Sequence, residues 1–249
     1  MKNKKGQVTI FIIVAVLIVS GVALFLILKG NLQKDETTSP EIAPIVNFVE
    51  ECIEETGEDA VYDLALRGGY NEVPAPYKKF FPNNIPYYWY LNTSLIPSKK
   101  NLESEFSKYL EKNIKNCTKD FEMFEKQGYS IKQGEISAKV ILYLDKLSIN
   151  LQYPLTIKKG EFSGRVKDFN QDVYTNFYEK YLLIQKIIRE QEKYQNSIPM
   201  GFITNLAYDE GFTFDTINLD DDVIYFLIFN QGEPKEFIYS FAIKYGWDI

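Results

Sequence analysis

The chain has 249 residues, a formal net charge of −6 and no histidine. The absence of histidine excludes Ser-His-Asp and Cys-His catalysis, HExxH zinc sites and histidine-based proton shuttles. Four of the 28 basic residues and none of the 34 acidic residues lie in the first 30 positions, so residues 31–249 carry a net charge of about −10. Because an acidic surface repels phosphate backbones, we expect no nucleic-acid partner.

The first predicted element is a transmembrane helix over residues 8–28, an uninterrupted apolar run. At about 1.5 Å per residue this run spans roughly 31 Å, the thickness of the hydrocarbon core of a bilayer. The run is longer than a signal-peptide core and lacks a small-residue cleavage pattern, which favours a retained anchor over a cleaved signal. Lys2, Lys4 and Lys5 precede it, so residues 1–7 are expected in the cytoplasm and the bulk of the chain outside the cell membrane. The lipid bilayer is therefore the first predicted partner.

The residues Lys4-Lys5-Gly6-Gln7, immediately before the apolar run, carry a resemblance. A basic stretch, then Gly-Gln, then an apolar helix resembles the archaeal type IV pilin-type (class III) signal. The resemblance implies that a membrane peptidase cuts between Gly6 and Gln7 and that the helix stays on the mature protein for anchoring or filament packing. In pilins a Glu at the fifth mature position directs subunit assembly, and this chain has Phe11 there. The resemblance therefore extends to processing more than to polymerisation, and an ordinary basic flank is the alternative.

More broadly, the chain resembles a family of archaeal membrane-anchored proteins that share this start. The shared features are a cysteine-containing helix, a Gly-Gly-Tyr at residues 68–70 and a Pro-Tyr-aromatic-Trp-Tyr segment at residues 86–90. The resemblance implies a membrane-anchored ectodomain and brings no activity with it.

A polar tether over residues 29–43 leads to a domain predicted over residues 44–249. In its helical half, residues 44–128, apolar residues at helical spacing predict one helix from Pro44 to Arg67 and a second from Ser98 to Gly128. Several acidic residues lie on the other face of the first helix and predict a solvated surface rather than a cation or acid–base site. These residues are Glu50, Glu51, Glu54, Glu55 and Glu58.

Between the two helices, residues 70–97 contain five prolines and are predicted to be irregular. Aromatic side chains concentrate there, and Tyr and Trp combine an apolar face with a polar tip that suits sugar rings, proline-rich partners or the lipid interface. The favoured alternative is that the rings hold a long loop onto the domain. The candidate binding residues are Tyr77, Phe80, Phe81, Tyr87, Tyr88, Trp89 and Tyr90.

The two cysteines, Cys52 and Cys117, fall on the apolar stripes of the two helices. An even number of cysteines outside the membrane favours one structural disulfide over two buried free thiols.

Two segments also match the N-glycosylation pattern, at Asn92 and Asn116. Asn92 is the better candidate, because Asn116 adjoins a cysteine that is expected to be buried.

The strand-rich half of the domain covers residues 129–249. Strands are predicted over 135–145, 147–157, 162–169, 212–217, 223–230 and 237–245, and helices over about 173–195 and 200–209. A hairpin turn is predicted at Lys159-Gly160. Asp220-Asp221-Asp222 indicates an acidic turn rather than a calcium site, since no EF-hand spacing surrounds it. The predicted fold class is therefore α+β, with three to four helices and antiparallel strands after one transmembrane helix.

These features predict a membrane-anchored cell-surface structural or interaction protein, pilin-like or a subunit of an envelope complex. Other envelope proteins or copies of itself are the expected partners. GxSxG, GxxxxGK and GxGxxG motifs are absent, so we predict no enzyme activity, no cofactor and no metal. The first alternative is a ligand-binding ectodomain that uses the aromatic, proline-rich segment. A carboxylate-based envelope hydrolase is the less favoured second alternative.

Overall fold

The computed structural model describes residues 39–246 together with Ile18, and the chain divides into two units, Met1–Pro40 and Glu41–Ile249. The predicted cytoplasmic tail, the Gly6-Gln7 processing site, the tether up to residue 38 and, apart from Ile18, the predicted span lie outside the described residues. Within the part that is described, no helix has both the length and the apolar character needed to cross a bilayer.

Four helices of two turns or more form in the second unit: α1 (Ala43–Leu66), α2 (Lys99–Thr118), α3 (Phe177–Lys193) and α4 (Met200–Glu210). Helix α1 ends where Gly68 and Gly69 take positive φ angles of 58° and 81°, which favour glycine. The predicted second helix is shorter than expected, because three consecutive residues from Lys119 also have positive φ and only short helical turns follow, at Lys119–Phe121 and Glu122–Glu125. Helix α3 starts later than predicted because the preceding strand continues to Tyr174.

Six strands form the first sheet: β1 (Tyr77–Phe80), β2 (Asn83–Tyr90), β3 (Thr93–Ser94), β8 (Thr213–Leu219), β9 (Asp222–Phe229) and β10 (Phe237–Lys244). Their order is β1-β2-β10-β9-β8, with β3 also paired to β2. Strands β2 and β10 are parallel, and the other pairs are antiparallel.

The irregular structure predicted for residues 70–97 is wrong, because three of the six strands come from this segment. Five consecutive residues of β2 are buried, from Ile85 to Trp89. Burial of these side chains against β10 outweighs the local turn signals of the prolines. The predicted helical and strand-rich halves therefore share one sheet, and one of its pairs is parallel rather than antiparallel.

The second sheet has four strands: β4 (Tyr129–Gln133), β5 (Ser137–Leu142), β6 (Lys146–Lys159) and β7 (Phe162–Tyr174). Strand β6 pairs with β7 along one side and with β5 and then β4 along the other. The predicted alternation along β6 is confirmed, because Leu147, Ile149, Leu151 and Tyr153 are each at most 1% exposed. The predicted hairpin turn at Lys159-Gly160 links β6 to β7.

Helix α1 lies between the two sheets, because it packs against β7 of the second sheet and β10 of the first. The approach to the second sheet is close at Gly57, where an added Cβ would lie 2.8 Å from Cγ2 of Val173. One continuous apolar core includes residues of α1, α2, α3 and both sheets. The second unit is therefore an α+β domain, as the sequence predicts.

Candidate functional site

The structure joins Cys52 of α1 to Cys117 of α2 by a disulfide, the pairing that the sequence predicts. The two Cα atoms lie 5.6 Å apart. Cys52 is buried, whereas Cys117 is partly exposed at the edge of the helix pair. The bond fixes α2 against α1 and closes the chain segment that contains β1, β2 and β3.

The aromatic candidate residues divide into buried, intermediate and exposed groups. Tyr87, Tyr88 and Trp89 are at most 7% exposed. Tyr77, Phe80 and Tyr90 are partly buried, whereas Phe81, in the turn between β1 and β2, is 95% exposed. The segment contributes mainly to the core, and Phe81 is the candidate residue most open to solvent.

Tyr88 shows how these rings are held. Its ring stacks on Phe241 with centroids 5.1 Å apart, and its hydroxyl contacts the backbone oxygen of Gly68 at 2.7 Å and the Tyr239 hydroxyl at 2.6 Å. Burial raises the pKa of both tyrosines well above the usual value. These phenols are neutral hydrogen-bonding groups that connect β2, β10 and the end of α1.

A buried carboxylate, Asp222, holds a polar cluster that the sequence did not reveal. Its side chain is 6% exposed, accepts a hydrogen bond of 2.8 Å from the Tyr87 hydroxyl and pairs with Lys78 Nζ at 2.5 Å. Lys244 lies 3.5 Å from Asp222 and 2.6 Å from Asp221. Burial, followed by the hydrogen bond to Asp222, raises the pKa of Tyr87, and the hydrogen bond from Lys244 lowers the pKa of Asp221.

This cluster revises the prediction for residues 220–222. The predicted acidic turn consists of Asp220 and Asp221, whereas Asp222 begins β9 and is buried. Its partner Lys78 is 144 residues away in sequence. Two lysines balance the two carboxylates of the cluster, so its charges are satisfied within the fold.

The β1–β2 hairpin folds over the outer face of the first sheet, the face opposite α1. Among the described strands, β1 forms backbone hydrogen bonds only with β2. Its side chains nevertheless reach β9, because Lys78 contacts Asp222 and Phe80 contacts Phe226. Neighbouring strands lie about 4.8 Å apart, so β1 could not reach β9 from the plane of the sheet. The hairpin covers a second, small apolar cluster made of Ile85, Tyr87, Ile224 and Ala242.

Two polar depressions lie beside α2, the first between α2 and α1 and the second between α2 and residues 70–74. The first, of about 260 Å³, is lined by Glu55, Thr56, Asp59, Tyr109, Asn113, Asn116, Cys117 and Lys119. The second, of about 460 Å³, is lined by Tyr70, Asn71, Glu72, Pro74, Glu105, Lys108 and Lys112.

Partial burial, followed by the charges of Glu55, Asp63 and Glu58, raises the pKa of Asp59. Among the described residues, no group of three or more Asp, Glu or Cys side chains is placed to hold a metal ion.

The two glycosylation patterns occupy different elements. Asn92 is exposed and lies in the turn between β2 and β3, where its φ is 69°. Asn116 is exposed near the end of α2. Both side chains are accessible from solvent in the folded domain.

Comparison of the chain with protein-family models, with curated proteins and with solved structures finds no match.

Proposed function

We propose that this chain is a single-pass membrane protein with its N-terminus inside the cell and its α+β domain outside. The domain acts as a structural or interaction module, pilin-like or as a subunit of an envelope complex. The observation that carries the proposal is the Cys52–Cys117 disulfide. Disulfides form and persist mainly in oxidising compartments outside the cytoplasm, which agrees with the orientation expected from the N-terminal lysines.

The use of polar groups within the domain supports a structural role over a carboxylate-based hydrolase. Asp222 is the one buried carboxylate among the described residues, and two lysines and a tyrosine hydroxyl neutralise and bond it. Glu55 and Asp59 lie on the exposed side of α1; the pKa of Asp59 is raised, but its side chain is open to solvent and lacks the enclosure of a general acid. A general acid needs a carboxyl group that is both accessible to substrate and shielded enough to hold its proton.

A topology experiment tests the proposal. A specific protease site inserted after Gly160, in the exposed turn between β6 and β7, should be cut when protease is added to intact cells. A Cβ added at Gly160 would have no atom within 4 Å beyond its chain neighbours, so this turn has open space around it and tolerates an insertion. The control is the same chain in permeabilised cells.

Cleavage only after permeabilisation would place the domain inside and overturn the proposal. Alkaline carbonate extraction tests the anchor separately. The full chain should stay with the membrane pellet, and its release into the supernatant would reject the transmembrane helix.

A further inference from the structure

The fold presents the two N-glycosylation patterns of the chain differently. The first is Asn92-Thr93-Ser94 and the second is Asn116-Cys117-Thr118. Each pattern contributes two groups, because the glycan is attached to the asparagine amide and the third residue supplies a hydroxyl for recognition. In the folded domain, a pattern can be modified only where both residues are open to solvent.

Asn92 lies at the tip of a tight hairpin. Strands β2 and β3 pair Tyr90 with Thr93, so Leu91 and Asn92 form a two-residue turn. All three residues of the first pattern, from Asn92 to Ser94, are exposed. The asparagine that would accept a glycan and the serine that recognition requires are therefore both accessible.

The conformation of this turn explains Asn92 but not Ser94. Leu91 and Asn92 have φ angles of 44° and 69°, and asparagine adopts this region more readily than most residues other than glycine. The Leu91 N–H donates to the Lys244 carbonyl at 3.1 Å, which holds the turn at the end of β10. A turn of this kind needs no hydroxyl two residues later, whereas glycosylation does.

The second pattern is blocked by the fold at its second and third residues. Cys117 is bonded to Cys52 of α1. Thr118 is only 1% exposed, and its hydroxyl donates to the Lys115 carbonyl at 3.5 Å. Asn116 itself is exposed, but the hydroxyl that recognition requires is buried in the last turn of α2.

We propose that Asn92 carries an N-linked oligosaccharide and that Asn116 does not. The inference rests on the proposed function, because N-glycosylation marks surface segments of exported chains. It adds a modification site to the domain that the proposed function places outside the cell.

The modification is a glycosyl transfer that needs one co-reactant, an oligosaccharide linked to a lipid phosphate. A bond forms between Nδ2 of Asn92 and the anomeric carbon of the first sugar. The bond from that carbon to a phosphate oxygen breaks, and its electron pair leaves with the lipid phosphate. The lipid phosphate also takes up the proton lost from the amide, and no atom is oxidised or reduced.

A glycan at this turn would cover one end of the first sheet. Leu91, the other residue of the turn, is 46% exposed. N-linked glycans are bulky and hydrated, so a glycan on Asn92 would shield this apolar side chain and the short strand β3. Contacts of the interaction module with other proteins are then expected elsewhere on the domain.

Mass spectrometry of the full chain, purified from its native membranes, tests the proposal. Trypsin cuts after Lys79 and Lys99, so Asn92 falls in a peptide of residues 80–99 that contains no other glycosylation pattern. This peptide should carry the added mass of an oligosaccharide, and the peptide that contains Asn116 should be unmodified. A peptide 80–99 that is entirely unmodified would overturn the proposal, as would a glycan on Asn116.

Variants expressed in the same cells distinguish a glycan acceptor from a simple turn residue. Ser94→Ala keeps Asn92 in the turn but removes the hydroxyl, so it should lose the oligosaccharide mass and migrate faster on a denaturing gel. Ser94→Thr keeps a hydroxyl and should keep the glycan. The matched control is Asn116→Gln, which should migrate like the wild-type chain. A glycan that persists in Ser94→Ala would contradict recognition of this pattern.

The outcomes distinguish this proposal from the proposed function. Protease cleavage at the site inserted after Gly160 does not depend on a glycan. If that site is cut in intact cells while peptide 80–99 is unmodified, glycosylation of Asn92 is wrong and the proposed function stands. If the site is cut only after permeabilisation, the proposed function is overturned whatever the state of Asn92.

Discussion

At the scale of single residues, the two cysteines stabilise the domain through their disulfide. Their bond closes a loop with a sequence separation of 65 residues. In the chain-entropy description, a loop of this length adds about 4 kcal/mol to the free energy of unfolding. Cys52→Ala and Cys117→Ala should each lower the melting temperature of the purified full chain by a similar amount, measured by circular dichroism.

The double variant provides the control for this prediction. Removing one sulfur already breaks the bond, so the double variant should lose little more stability than either single variant. Reductant should destabilise the wild-type chain and leave the variants unchanged. Two alkylatable thiols in protein purified without reductant would contradict the bond itself.

The sequence predicts which cysteines pair, but it does not predict which aromatic side chains are buried. The disulfide was predictable because the chain has only two cysteines and both follow helical apolar spacing. Phe81 and Trp89 belong to the same aromatic segment, yet one is 95% exposed and the other 3%. The pairing of β2 with β10 determines this difference, and no local pattern indicates which distant strand a segment will join.

At the scale of secondary structure, the contact between α2 and the β5 edge gives a second prediction. The Ser107 hydroxyl accepts the hydrogen bond of the Val140 N–H, and Val140 is only 3% exposed. Ser107→Ala should therefore leave a buried donor without a partner and lower the free energy of unfolding by about 1–3 kcal/mol. Chemical denaturation of the purified chain measures this change.

Ser104→Ala is a matched control for Ser107→Ala. Ser104 lies on the same helix but is exposed to solvent, so the two substitutions change helix propensity equally. The Ser104 variant should keep wild-type stability or gain slightly. Equal effects of the two substitutions would show that the bond to β5 contributes nothing.

Helices and strands with a clear periodicity of apolar residues are predictable from the sequence. Strands that form by pairing with residues far away in sequence are not. Strand β6 alternates apolar and polar residues, and burial follows that pattern. Strands β1 to β3 were missed because five prolines in residues 70–97 indicate turns locally. The break of the second predicted helix at Lys119 was also missed, because positive φ at non-glycine residues has no strong sequence signal.

At the scale of the whole molecule, buried tyrosines should control stability at alkaline pH. Burial is the largest cause of a raised pKa at eight of them, and it raises the pKa of Tyr245 to about 12. The other seven are Tyr87, Tyr88, Tyr109, Tyr153, Tyr181, Tyr225 and Tyr239. In the unfolded chain these phenols ionise near pH 10. The stability that comes from burying these phenols in their neutral form is therefore complete below about pH 10. It is lost as the pH rises toward the pKa values of the phenols in the folded chain.

The alkaline prediction is measured by following phenolate absorbance and circular dichroism together as the pH rises. Each buried tyrosine should steepen the loss of stability by about 1.4 kcal/mol per pH unit above its unfolded pKa. Tyr225→Phe should reduce the loss of free energy of unfolding with rising pH by about 1.4 kcal/mol per pH unit. Ionisation of all the tyrosines while the circular dichroism stays native would contradict the prediction.

The N-terminus gives the last prediction for the whole molecule, because its processing determines whether the domain remains attached to a membrane. Gly6-Gln7 follows a basic stretch and precedes the apolar run, which resembles the class III signal. N-terminal sequencing of the mature protein should therefore begin at Gln7, and a Gly6→Leu variant should retain Met1. A wild-type start at Met1 would leave an ordinary signal anchor, with the domain still bound. A start near Lys29 would release the domain from the membrane and overturn the membrane-anchored proposal.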